Sequence, residues 1–107
     1  MTGKIMVFST VPSQDVASLI AKTVVQEELA ACVSIIAGIT SIYRWQGEVE
    51  SSSELLLLMK TRGTLFEALQ ARIVSLHPYD VPEVVAVPIT AGHVPYLDWI
   101  DRSTTEL

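Results

Sequence analysis

The stretch ITSIYRWQGEVESSSELLLLMK, residues 39–60, decides the fold. Its first part alternates, with Ile39, Ser41, Tyr43 and Trp45 on one parity and Thr40, Ile42 and Arg44 on the other, the period-two pattern of a strand. Gln46-Gly47 then forms a tight hairpin turn, since a two-residue connection ending in glycine suits the left-handed backbone such turns require. The returning strand, 48–60, is polar from Glu48 to Glu54 and then solidly apolar at LLLLM. Two strands of this length make a ribbon whose tip projects beyond a small domain. A free ribbon is marginal in water, so the tip is expected to pack on a neighbouring subunit, with Tyr43 and Trp45 as its aromatic anchors.

Outward from the ribbon, the first strand reaches back to Cys32 and is interrupted by Gly38, the mark of a bulge or bend. Further upstream, KIMVFSTV (4–11) is a nearly continuous apolar run, which predicts a central strand buried on both faces. Pro12 and Ser13 punctuate, and Ser13 is a helix N-cap candidate. Val16, Leu19, Ile20 and Val24, with Leu29 at the end, then follow helical spacing, and Lys22, Gln26 and Glu27 lie on the polar side. Downstream of the ribbon, Thr64-Leu65-Phe66-Glu67 reads as a capping box. It opens an amphipathic helix through Phe66, Leu69, Ile73 and Leu76, which ends at His77-Pro78 because a residue before proline avoids helical backbone. Residues 83–89 read as a further buried strand, with Pro88 marking its end or an exposed edge. Pro95 starts a short closing helix carrying Tyr96, Leu97, Trp99 and Ile100.

Strand, helix, strand, strand, helix, strand, short helix is an α+β order. It predicts a ferredoxin-like split βαβ sandwich with a long β-hairpin, one domain over residues 1–107, and helices on one sheet face. The other face is apolar too, judging by KIMVFSTV and LLLLM, and needs a partner. Composition agrees: hydrophobic residues are 50% of the chain and charged ones 18%, against about 25% charged in typical domains. Mean hydropathy is +0.42. A domain this small cannot hide so much apolar surface alone, so a homo-oligomer is expected.

Net charge is −5, from 12 acidic and 7 basic residues, and no basic cluster occurs. Nucleic acid and anionic membranes are therefore poor partners. No apolar run reaches the roughly 18 residues of a membrane span, and the N-terminus carries no signal-peptide pattern. One cysteine, Cys32, allows no internal disulfide. These features together predict a cytoplasmic protein. No phosphate loop, nucleophile elbow, zinc-protease motif or C-x-x-C occurs, and no nucleophile pairs with a general base, so no enzyme is expected.

His77, at a helix end, is the first candidate metal ligand, and the competing reading is a ring that bonds free helix carbonyls. His93 reads as a solvated loop residue and Cys32 as a small hydrophobe in a strand. Tyr79, Asp80 and Glu83 form a group that, with Lys60 and Arg62, is placed to line a ligand cleft between subunits. In the competing reading Glu83 and Lys60 form an ion pair between strands.

The blocks VFSTVPS (7–13), LAACVSIIAGITSIYRWQGEVE (29–50), ELLLLMKT (54–61), HPYDVPEVVAVPI (77–89) and YLDWI (96–100) resemble those of the CutA family of divalent-cation tolerance proteins. The resemblance covers nearly the whole chain. It implies a ferredoxin-like subunit in a stable homotrimer with interlocking ribbons, similar to the PII-like signalling trimers. It also implies a link to tolerance of copper and other divalent cations, with Cu or Zn as the possible bound ion. Family members thought to bind copper carry a cysteine where this chain has Ser9 and a second histidine where it has Leu76, which leaves His77 alone of that donor set. Two functions follow as expectations. One is a trimeric cation-binding protein of metal tolerance, and the other is a PII-like signalling or scaffold trimer holding a small molecule in its intersubunit clefts.

Overall fold

The computed structural model describes residues 1–106. Eight elements follow in order: β1 (Lys4–Val11), α1 (Gln14–Gln26), β2 (Cys32–Trp45), β3 (Glu48–Arg62), a 3-10 turn (Gly63–Leu65), α2 (Phe66–Leu76), β4 (Val85–Pro88) and α3 (Val94–Arg102). The strands make one antiparallel sheet in the order β2-β3-β1-β4. This is the α+β architecture expected, and the interior place of β1 accounts for its apolar run. Ser13 caps α1 from extended backbone, accepting the Val16 N–H at 3.2 Å.

Strand alternation sorts the sheet into two faces. On one, Val7, Ser9 and Val11 of β1 and Leu57 and Met59 of β3 are wholly buried under Ala17, Ile20 and Val24 of α1 and Leu69 and Ile73 of α2. On the other lie Met6, Phe8 and Thr10, with Leu56, Leu58 and Lys60 opposite them on β3. Ile36, Val85 and Val87 share this second face and are markedly exposed. β1 is thus fully buried on its helix side only. Within one chain its other side is half-covered, which is where the sequence called for a partner.

Contrary to the expectation of helices on one sheet face, α3 reaches the second face, at one end. There Lys4 and Arg62, directly opposite each other on β1 and β3, hold it. Lys4 Nζ is 2.8 Å from Asp101 Oδ2, and the Arg62 guanidinium donates to Thr104 Oγ1 at 2.9 Å and to the Asp101 carbonyl.

The ribbon carries its bulge where Gly38 predicted it. The β2–β3 register shifts between Ile36 and Ile39, and Gly38 adopts φ +83°. Gln46 and Gly47 both have positive φ (50° and 83°), as a tight primed turn requires.

Two further sequence expectations are corrected. Thr64 does not cap α2: it sits inside the 3-10 turn, and Leu65 occupies the cap position with no side-chain hydrogen bond. The chain tightens through Gly63 before the helix starts, so the capping-box spacing is not met. The last strand covers four residues rather than seven, because Glu83 and Val84 belong to the loop before it and Ile89 lies past Pro88, where the strand ends.

Candidate functional site: an acidic, aromatic cleft

The site begins where α2 stops. His77 precedes Pro78 and takes extended backbone (φ −82°, ψ 136°), as its position dictates. Its ring is 8% exposed. Nδ1 accepts the Tyr79 N–H at 3.2 Å, and Nε2 lies 2.8 Å from the Thr10 carbonyl. With Nδ1 accepting, Nε2 carries the proton and donates to Thr10, so the imidazole is neutral and both nitrogens are engaged. The ring bonds the end of β1 rather than the free helix carbonyls expected of a cap.

This latch turns the 78–83 loop across the sheet. The Tyr79 ring rests on His77 with centroids 4.6 Å apart, and its hydroxyl donates to Glu54 Oε2 at 2.6 Å. Burial pushes the Tyr79 phenol well above its ordinary range, and the Glu54 hydrogen bond and charge push the same way. Glu54 is 7% exposed, although it stands on the second face between Ser52 and Leu56.

Around this pair opens a cleft of about 700 Å³. Its walls include Tyr43 and Trp45 from the ribbon, Glu50 and Glu54 from β3, and Tyr79, Asp80 and Glu83 from the loop. Tyr43 hydroxyl is fixed 2.7 Å from Ser52 Oγ. Among the described residues no Lys, Arg or His lines the cleft.

The structure therefore brings Tyr79, Asp80 and Glu83 together, and adds Tyr43 and Trp45 from the ribbon. It separates Lys60 from them. Register sets Lys60 opposite Met6 and Cys32, with its ammonium over the Tyr96 ring at 5.8 Å. The Glu83–Lys60 pair is not formed, and Arg62 is committed to α3. Cys32 is half-buried rather than core, with Sγ 3.6 Å from Tyr96 Oη. The Tyr96 phenol is raised, chiefly by burial and then by Cys32, against a smaller opposing effect of Lys60. His93 is exposed just before α3 and contributes its carbonyl to the first turn. Ser9 points into the helix-covered core, on the side away from the cleft.

Glu50 and Glu54 are the site residues that sequence reasoning missed. Parity was the available signal: they lie in phase with Leu56 and Leu58, and β3 carries no bulge to break that phase.

Copper prefers nitrogen and sulfur donors, and this arrangement does not offer them as a set. Both His77 nitrogens are occupied, Cys32 lies beside α3, and among the described residues no three His, Cys, Asp or Glu side chains converge to hold an ion. What the cleft offers is carboxylate oxygen, suited to hard cations that keep much of their water.

The sequence profile of the CutA1 divalent ion tolerance protein family matches residues 5–103. The chain belongs to this family. A CutA divalent-cation tolerance protein of Thermus thermophilus is 57% identical over 99 residues, spanning 92% of this chain and 96% of its own. The solved CutA1 structure of Oryza sativa superposes with a TM-score of 0.95 at 43% identity, over 100% of both chains. A chloroplastic CutA of Arabidopsis thaliana is 50% identical over 100 residues, and this CutA1 chain spans 55% of its length. No helix among the described residues of this CutA1 chain is long and apolar enough to cross a membrane.

Proposed function

We propose that this CutA1 protein is a cytoplasmic, non-catalytic homotrimer that handles divalent cations, holding them loosely among the cleft carboxylates. The observation that carries this reading is Glu54. It is a nearly buried carboxylate with one oxygen on Tyr79 and, among the described residues, no cationic side chain paired with it. A buried charge without a counter-charge is costly, and Glu50, Asp80 and Glu83 deepen the negative field around it. Because the donors are spread out, the reading favours ions bound through one or two carboxylates and water over a tight copper cage. His77 serves as the latch of the loop.

The trimer reading rests on uncovered apolar surface. Half-buried Phe8, Leu56 and Leu58 adjoin exposed Ile36, Val85 and Val87 on the second face, and Ile42 and Val49 of the ribbon are 71% and 66% exposed. Patches of this kind mark interaction surfaces. A second reading, the PII-like trimer with a small-molecule ligand, is favoured by the cleft volume, which far exceeds what an ion needs.

Calorimetric titration of chelator-stripped protein with Mg²⁺, Zn²⁺ and Cu²⁺ tests the cation reading. Glu54→Gln is expected to weaken saturable binding about tenfold or more, the loss of one charged contact, while His77→Ala, which only loosens the loop carrying Asp80 and Glu83, weakens it less. Binding lost in His77→Ala and kept in Glu54→Gln would overturn the assignment. Sedimentation showing a monomer at micromolar concentration would overturn the trimer.

A further inference from the structure

We propose that the acidic wall of the cleft is a docking surface for a second copy of this chain, and that the partner subunit's Arg44 enters it to pair with the loop carboxylates Asp80 and Glu83. The inference rests on the homotrimer reading and adds the charged contact that joins one copy to the next.

In that reading the second sheet face and the ribbon tip meet a neighbour, so the carboxylates there face protein and not bulk water. Glu50, Glu54, Asp80 and Glu83 line the wall together, and among the described residues no basic side chain joins them. Glu54 is already bonded to Tyr79. Asp80 and Glu83 are exposed in the loop and make no ion pair among the described residues. Pressing a second copy onto this wall strips water from carboxylates, which is costly unless the arriving surface brings positive charge.

One cation of the chain is placed to bring it. Lys4 and Arg62 are held by Asp101 and Arg72 by Glu27, and Lys60 lies over the Tyr96 ring. Lys22 stands on α1 and Arg102 in the last turn of α3, neither on the ribbon. Arg44 is at the ribbon tip, exposed, and among the described residues its guanidinium bonds only the Gly47 carbonyl of its own turn, at 3.4 Å. Val49 lies directly opposite it, and with Ile42 makes the surroundings of the guanidinium a bare apolar strip. Arg44 cannot serve its own cleft. Tyr43 and Trp45 line the cleft, and strand alternation sends the residue between them to the opposite side of the ribbon. The acidic wall and Arg44 therefore meet only between two copies, one giving the back of its ribbon and the next its cleft. Such a contact between unlike surfaces is heterologous and closes as a ring. Arginine suits the seat, because a guanidinium grips carboxylates with a fork of donors and stacks on aromatic rings, which Tyr43, Trp45 and Tyr79 supply.

The test is subunit exchange between isotopically labelled chains, followed by native mass spectrometry. One variant carries Arg44→Glu and the other Asp80→Lys with Glu83→Lys. All three positions are exposed within one chain, and circular dichroism checks that each variant folds. Either variant alone should exchange subunits about tenfold faster than wild type or more, the scale of one lost charged contact. Mixed together, the two should form mixed trimers in excess of random mixing, because each restores the charge pair that the other lacks. Placing all three substitutions in one chain should return exchange close to the wild-type rate. Random mixing of the two variants would overturn the inference, whatever their exchange rates. A wild type that is monomeric at micromolar concentration would overturn it together with the trimer reading. The cation reading is scored apart from both, through Glu54, which none of these substitutions alters.

Discussion

Ser9 offers the sharpest test of the core's energetics. Its hydroxyl is wholly buried between Val7 and Val11 and is without a hydrogen-bond partner among the described residues. An unsatisfied buried polar group costs about 1–3 kcal/mol. Ser9→Ala removes that cost and leaves a void of little more than one oxygen atom, worth roughly 0.3 kcal/mol at about 24 cal/mol per Å³. The variant should therefore be more stable by about 1–2 kcal/mol, raising Tm by about 4 °C or more for a domain of this size. Thr61→Val is the matched control. Thr61 is equally buried, but its hydroxyl donates to the Leu29 carbonyl at 2.7 Å. Its near-isosteric replacement should cost about 1 kcal/mol or more. Urea unfolding at one fixed protein concentration reads both, since an assembly's midpoint depends on concentration. Ser9→Ala that destabilises by 1 kcal/mol or more, or two variants shifting in the same direction, would refute the assignment of the Ser9 hydroxyl as unpaired.

Two further outcomes follow from the cleft and from α3. The Tyr79 phenol is raised above its ordinary value near 10, so the folded state holds its proton where the unfolded chain releases it. Stability from this group is complete below pH about 10 and is lost as pH climbs above it. Tyr79→Phe should flatten that alkaline decline, and urea midpoints between pH 8 and 11 would show the same slope in both proteins if the reasoning is wrong. Arg62→Ala removes the guanidinium bonds to Thr104 and to the Asp101 carbonyl, a loss of about 1.5–3 kcal/mol for charged hydrogen bonds. Amide exchange should rise through residues 97–104 while α1 stays protected, and unchanged exchange there would show that Ile100 packing holds the helix without the clamp.

Much of the scaffold was legible because local chemistry and tertiary need agree there. The Ser13 cap, the Gly38 bulge and the Gln46-Gly47 turn each require a residue type at one place, and the structure uses each so; the β1 run gave a central strand, but one buried within the chain on its helix side only. Thr64 misled because a capping box is a spacing and not a geometry; the 3-10 turn from Gly63 consumed the residues it needed. The cleft was half-legible. HPYDVPE announced a loop rich in polar and aromatic groups, but its partners come from strand register. Lys60 is close to Glu54 in sequence, yet six residues of extended strand carry it roughly 20 Å away, to the opposite end of the sheet. Glu54 itself sat in a polar tract that looked like solvated ribbon. Only the continuation of its parity into Leu56 and Leu58 distinguishes it, and that becomes meaningful once β3 is known to run without a bulge.

The sheet order also sets a timetable for synthesis. β1 is the first strand to leave the ribosome, but its hydrogen-bonding partners are β3 and β4 alone. Its Val11 pairs with Leu55, made roughly forty residues later, which at about 5–20 residues per second is a wait of roughly 2–9 s. The ribbon faces no such delay, since a two-residue turn lets it zip within microseconds. The nascent chain thus carries an apolar strand unpaired while a finished hairpin grows behind it. Docking β1 into the slot beside β3 is then the step that closes the domain and removes its chief opportunity to aggregate.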